Sequence, residues 1–162
     1  MRTTRKSSPR TAKTIDAVSL LKADHKQVKT WFAEFEATSS SKRKEKLAAS
    51  ICTALTVHTE LEEQIFYPAF LAATRDKDTH HEAIIEHDGA KKLIAEIQSS
   101  SPSDDYFDSK VHVLSEMIKH HVKEEEQPGG MFAEARQSRK MDLQKLGATL
   151  AERKRALMSS PT

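Results

Sequence analysis

One seven-residue pattern occurs twice in this chain, as His58-Thr-Glu-Leu-Glu62-Glu63-Gln64 and as His121-Val-Lys-Glu-Glu125-Glu126-Gln127. Each copy follows another histidine that is itself preceded by an acid, Asp24-His25 in the first half and Glu86-His87 in the second. His25 stands 33 residues before His58 and His87 stands 34 before His121, so the two halves repeat at an offset of about 63 residues. Two equivalent halves joined end to end predict a fold with a pseudo-twofold axis, which brings corresponding positions of both halves to one centre.

The four histidines lie on stripes that are otherwise apolar. His25 sits between Leu21 and Val28, His58 between Leu55 and Leu61, His87 between Ile84 and Ala90, and His121 after Leu114, Met117 and Ile118. The spacing is helical. It predicts helices from Ile15 to Ala37 (inward face Ile15, Val18, Leu21, Val28, Phe32, Phe35), Lys42 to Ala73 (Leu47, Ile51, Leu55, Leu61, Ile65), His80 to Ile97 (Ile84, Ala90, Ile94, Ile97) and Asp104 to Gln127 (Phe107, Val111, Leu114, Ile118). Ser and Thr at 38–41, a turn at 76–79 and Ser99-Ser100-Ser101-Pro102-Ser103 separate them, and Pro68 is expected to kink or end the second. Pro128-Gly129-Gly130 closes the fourth, and one or two further helical pieces follow. No strand pattern is present. The expected fold is all-α: an antiparallel up-down-up-down four-helix bundle with a short C-terminal helical extension. Residues 1–13 read as a flexible basic arm, 14–137 as the bundle, and 138–162 as a C-terminal helix and tail.

Residues at i and i+4 share a helix face, so His58 with Glu62 and His121 with Glu125 converge within each copy of the motif. Buried carboxylates and imidazoles without partners cost several kcal/mol. Four histidines and two glutamates at one level of a core therefore call for bound cations. Imidazole with carboxylate suits iron, manganese or zinc. Two carboxylates able to bridge allow two ions, each with two histidines and a share of both glutamates, and leave room for an outside ligand. Glu63 and Glu126 lie a further 100° around the helix and read as outer acceptors or surface charges. His80, His120 and Glu124 are alternative ligands. His81 and His112 read as ordinary histidines and Cys52 as a packed thiol; Tyr67, near the ligand helix, could supply a proton or pack, and packing is the reading preferred.

Composition narrows the setting. With 37% hydrophobic and 31% charged residues over 162 positions, the chain is globular and not wholly disordered. No apolar run approaches the roughly 18 residues of a membrane span, and no secretory leader is visible. A single cysteine excludes an internal disulfide, and a cytoplasmic location is expected. Net charge is +2, but Arg2, Arg5, Lys6, Arg10 and Lys13 make the first 13 residues wholly basic, and residues 136–155 carry seven basic side chains against Asp142 and Glu152. The stretch between is acidic, which fits cation binding. The basic ends read as solvated tails in preference to a nucleic-acid surface.

These motifs resemble those of the haemerythrin-like, or HHE cation-binding, family. The resemblance rests on Asp24-His25-x-x-Val28, His58-x-x-x-Glu62-Glu63-Gln-Ile-Phe-Tyr67-Pro68, Glu82-Ala-Ile-Ile-Glu86-His87 followed by Lys91-Lys92-Leu93-Ile94, and His120-His121-Val-Lys-Glu-Glu125-Glu126, over roughly residues 15–137. It implies a non-haem di-iron centre, two iron ions bridged by oxo or hydroxo in preference to zinc or manganese. The implied ligands are His25, His58, Glu62, His87, His121 and Glu125. Oxygen-carrying members look to have a further histidine four residues from the third-helix ligand. Ala83 and Lys91 stand there in this chain, which leaves both ions accessible and argues against reversible oxygen carriage. Ferritin-like Glu-x-x-His and zincin His-Glu-x-x-His motifs are absent.

The resemblance leads to an expectation of a protein that binds or reacts with peroxide, oxygen or nitric oxide, with a catalase- or peroxidase-like cycle. The alternative is a non-catalytic sensor, or an iron store or donor, used in stress. No separate acid–base pair is legible, so no catalytic residue is named.

Overall fold

The computed structural model describes residues 15–159, all of it helix and connecting turns without strands. The basic arm expected at 1–13 lies outside the described residues. The helices are α1 (Ala17–Ala37), α2 (Ser41–Leu61), a π-helical turn (Glu62–Phe66), α3 (Tyr67–Thr74), α4 (Lys77–Gln98), α5 (Phe107–Glu126), α6 (Met131–Gln137) and α7 (Leu143–Ser159). α2, the π turn and α3 form one continuous body. α1 packs on α2, α2 on α4, α4 on α5 and α5 on α1, which closes a ring of four bodies. α6 packs on α5 and α3, and α7 lies across α1 and α2. No helix among the described residues is long and apolar enough to cross a membrane.

The core has two apolar ends. One is built on Leu21, Leu61, Phe66, Phe70, Phe132 and Leu150, the other on Phe32, Ile51, Leu55, Ile94, Phe107 and Leu114. The buried polar side chains His25, His58, Glu62, His87, His121 and Glu125 occupy the layer between them. Water is thereby excluded from both directions along the helix axes.

Several expected elements shift. Ile15 is 54% exposed, not inward, because Asp16 caps α1 and leaves Ile15 outside the helix. The third helix begins at Lys77, three residues earlier than expected, with Asp76 as its cap. The fourth begins at Phe107. The second helix is interrupted six residues before Pro68. That residue has no N–H to donate, and the chain accommodates it with a turn in which the Tyr67 N–H bonds to Glu62 O, five residues back. The rotation buries Phe66 and Tyr67 and leaves Ile65 only partly buried. Ile84 is likewise half-buried, and Ala83 takes the inward place.

Asp16 ties the start of α1 to α6. Its Oδ1 accepts the Ser19 N–H at 2.8 Å, and Arg136 reaches both carboxylate oxygens at 3.3 Å. Burial alone would raise this carboxyl, but the Ser19 N–H and Arg136 hold it below its ordinary value. The charged cap therefore contributes stability that is complete above the ordinary carboxylate pKa of about 3.9 and fades as pH falls through the lower folded value. Asp16→Ala is expected to cost about 1 kcal/mol at pH 7 in urea unfolding, with the difference shrinking below about pH 3. An unchanged unfolding midpoint at pH 7 would contradict this role.

Candidate metal centre

The inner layer is assembled from four helices, with each polar side chain one or two turns from bulky apolar neighbours. The imidazole Nε2 atoms of His25 and His58 stand 3.1 Å apart, and those of His87 and His121 stand 3.2 Å apart. Glu62 Oε1 reaches across both pairs, 2.9 Å from His58 Nε2 and 3.3 Å from His87 Nε2. Glu125 Oε1 makes the mirror contacts, 3.2 Å from His121 Nε2 and 3.4 Å from His25 Nε2. All six side chains named from the sequence thus meet in one place. They form two overlapping donor groups, His25-His58-Glu62-Glu125 and Glu62-His87-His121.

Such separations suit hydrogen bonds as well as ligands of one metal ion, and the carboxylate oxygens separate the two. Glu62 Oε1 and Oε2 and Glu125 Oε1 make no hydrogen bond, although imidazole nitrogens crowd them. Glu62 is fully buried and Glu125 is 2% exposed. Donors bound at about 2.1 Å and at right angles around one small cation stand about 3 Å from each other. Orphaned carboxylate oxygens and converging imidazole nitrogens with that mutual spacing fit a metal-binding site.

The outward edges of the rings are held by a second set of acids. Asp24 Oδ2 lies 3.0 Å from His58 Nδ1, and Glu86 Oε1 lies 3.0 Å from His121 Nδ1. Glu63 and Glu126 stand further off, 3.6 Å from His87 Nδ1 and 3.7 Å from His25 Nδ1. A carboxylate at Nδ1 keeps the proton there and turns the Nε2 lone pair inward. Asp24 and Glu86, read in the sequence only as part of the repeat, therefore act across the bundle on the histidine of the neighbouring helix.

Charge at the site follows from this crowding. Burial favours the neutral form of Glu62, but His58 and His87 outweigh it and hold the carboxyl well below its ordinary range. Burial opposes charge on His58, yet Glu62 and Asp24 raise it to about 10. His121 is likewise held well above its ordinary value by Glu125 and Glu86 against burial. Without a cation, protons on the imidazoles balance the carboxylates.

Two further contributors stand outside the six: Tyr67, for which packing is the preferred sequence reading, and Phe132, which the sequence reading does not name. The Tyr67 hydroxyl, fully buried, donates to Glu125 Oε2 at 3.0 Å and lies 3.1 and 3.2 Å from Nε2 of His87 and His121. In an unbroken α-helix, position 66 would share the face of Glu62. The π turn brings position 67 there instead, and only the pairing of a ligand helix with Pro68 hints at it. Burial, then Glu62 and Glu125, push this phenol well above its ordinary pKa, so it keeps its proton. The second half of the repeat has Gly130 at this position, where a Cβ would collide with the carbonyl of Glu124. The second contributor is Phe132 of α6, which stacks on His25 with ring centroids 5.8 Å apart.

Of the alternative ligands, His80 packs its ring edge on Tyr67 at 6.0 Å and stays outside the cluster. His120 is exposed and pairs with Glu124 at 3.0 Å, forming with Glu86 a separate outer group. His112 pairs with Glu36, and Cys52 is a buried free thiol.

The sequence profile of the hemerythrin HHE cation binding domain matches residues 16–128. The chain belongs to this family. A curated relative, a DNA nickase of Nostoc sp. strain PCC 7120, is 29% identical over 107 residues, which cover 66% of this chain and 30% of that protein. The chain thus spans less than a third of that relative's length. Among solved structures, a hemerythrin HHE cation binding domain-containing protein from Mycobacterium kansasii matches with a TM-score of 0.73 at 21% identity, over 90% of this chain and 88% of that one. At that identity the likeness concerns the fold, which is hemerythrin-like. The family and the His/Glu cluster together mark a metal-binding site.

A cation must displace the protons that His58 and His121 carry when the site is metal-free. Binding of a divalent metal at pH 7 is therefore expected to release at least one proton per chain, and affinity is expected to rise with pH. Calorimetry in buffers of different ionisation enthalpy measures this, and binding without proton release would contradict the charge balance described above.

Proposed function

We propose that the layer holds two iron ions, liganded by His25, His58, His87 and His121 and bridged by Glu62 and Glu125, and that the protein reacts with small oxidants: peroxide, oxygen or nitric oxide. The supporting observation is a cavity of about 240 Å³ that touches all four histidines. Its remaining wall is Leu55, Ala90, Ile94, Met117, Ile118 and Val122, with the polar Thr59, Glu86 and His120. It is small and mostly apolar, suited to a diatomic molecule or peroxide. A catalase- or peroxidase-like cycle is the activity this reading favours. An up-down-up-down order of the four helical bodies, natural for the short connections at 38–40 and 75–76, is part of the same reading.

Bound in this layer, an iron pair supplies Lewis acidity and two electrons to a ligand in the cavity. The chain's own groups supply the rest. Asp24 and Glu86 hold the Nδ1 protons of His58 and His121, so those rings present lone pairs inward. The apolar walls exclude bulk water and strengthen every charge interaction inside. Tyr67 keeps a phenolic proton within 3.2 Å of two imidazole nitrogens, at the edge of the His87–His121 side. That hydroxyl donates to Glu125 Oε2 at 3.0 Å and so orients the carboxylate beside His121.

Peroxide turnover by the iron-loaded protein tests the reading. His58→Ala is expected to lose stoichiometric iron and at least 100-fold of the rate, and equal rates would remove the proposal. Ala90→Leu narrows the cavity without touching a ligand. It is expected to slow peroxide or nitric oxide binding at least tenfold at unchanged iron content, and an unchanged binding rate would show that the ligand arrives elsewhere.

A further inference from the structure

The two halves of the site differ within the core, where Tyr67 has Gly130 as its counterpart, and they differ again one layer out. On one side Asp24 Oδ2 meets His58 Nδ1 at 3.0 Å, and Asp24 Oδ1 is held by Lys154 Nζ at 2.5 Å. On the other side Glu86 Oε1 meets His121 Nδ1 at the same 3.0 Å, but Glu86 Oε2 faces His120 Nε2 at 3.5 Å, with Glu124 beside it. Glu86 opens into a cavity of about 210 Å³ that Asp76, Glu82, Glu124 and Glu134 also line. One outer carboxylate is therefore paired with a lysine ammonium, while its counterpart sits between His120 and other acids.

The ammonium comes from α7, which lies beyond the matched family region of residues 16–128. Its position is set by packing. A Cβ at Gly147 would run into the backbone of Ile15 and Asp16, so α7 approaches the start of α1 as closely as a glycine permits. Leu150 is fully buried in the adjoining core. Lys154, one turn beyond Leu150 on the same helix face, is thereby aimed at Asp24. Asp24 is 12% exposed at its side chain, close enough to water to turn away if nothing held its second oxygen.

Resting on the reading of the layer as a metal centre, we infer that Lys154 is a positioning residue: it fixes Asp24 against His58 and so supports the metal position of the His25–His58 side alone. Lys154 touches neither a ligand atom nor the cavity. It acts by keeping Asp24 in the one orientation that holds the His58 ring and its Nδ1 proton in place. Lys154 makes no contact with the corresponding acid of the His87–His121 position, Glu86, whose partners His120 and His121 both lie on α5.

The test is an anaerobic titration of ferrous ion into the metal-free full chain, with stepwise constants resolved. Lys154→Met is expected to weaken one of two ions roughly tenfold and leave the other within twofold, while Lys154→Arg restores the weakened step. The metal-free melting temperature should stay within about 2 °C, which separates this role from mere docking of α7. In an Asp24→Asn background, Lys154→Met should add nothing, because the residue acts through Asp24. Equal weakening of both ions, tighter binding, or a full Lys154→Met effect in the Asp24→Asn background would overturn the inference. Failure of the unaltered protein to bind two ions would instead overturn the metal reading on which it rests.

Discussion

Two carboxylates, Glu62 and Glu125, are withdrawn from water in the middle of a helical protein, and the rest of the structure is arranged around that fact. A buried carboxylate is tolerated only beside positive charge and full hydrogen bonding. Here the hydrogen bonds are largely missing: three of the four oxygens find no donor in good geometry. What surrounds them is a set of imidazole Nε2 atoms at about 3 Å. Protons can balance such a layer, but they leave carboxylate oxygens unbonded; bound metal, as proposed above, would give those oxygens partners and balance the same charge.

The fold serves this layer by closing it at both ends and steering each ring from outside. Apolar side chains on either side keep water out along the helix axes. The outer acids come from the helices that do not carry the ring they orient: Asp24 on α1 steers His58 on α2, and Glu86 on α4 steers His121 on α5. Each half of the site is thus defined by two helices together, and neither alone fixes the direction of its histidine. The symmetry stops at the edges. Tyr67 enters on one side, where the corresponding residue of the other half is Gly130, and Lys154 braces one outer carboxylate but not its counterpart.

Much of the layer was legible because the code for it is local. His-x-x-x-Glu places two donors on one helix face, and its repetition within apolar stripes leaves those side chains nowhere to point but inward. Cys52, His81 and His112 were equally readable as ordinary residues. The misreadings came from effects that cross between elements or bend one of them. Ile15 fits the helical period but precedes the cap, so the period alone misplaces it. Tyr67 belongs to the site because a π turn before Pro68 shifts the face by one residue, and a 3.6-residue period cannot register such a shift. Phe132 and Lys154 arrive from α6 and α7, whose docking depends on close approaches at Gly130 and Gly147 that no spacing within the first four helices encodes.

The central claim is that two cations occupy the layer, one between His25 and His58 and the other between His87 and His121, with both glutamates between them. Anomalous diffraction at the iron edge from crystals of the protein purified with its metal tests this directly. The account predicts two peaks about 3.5 Å apart, each within bonding distance of two imidazole Nε2 atoms. A single peak, or none with the six side chains still in the arrangement described, would contradict it.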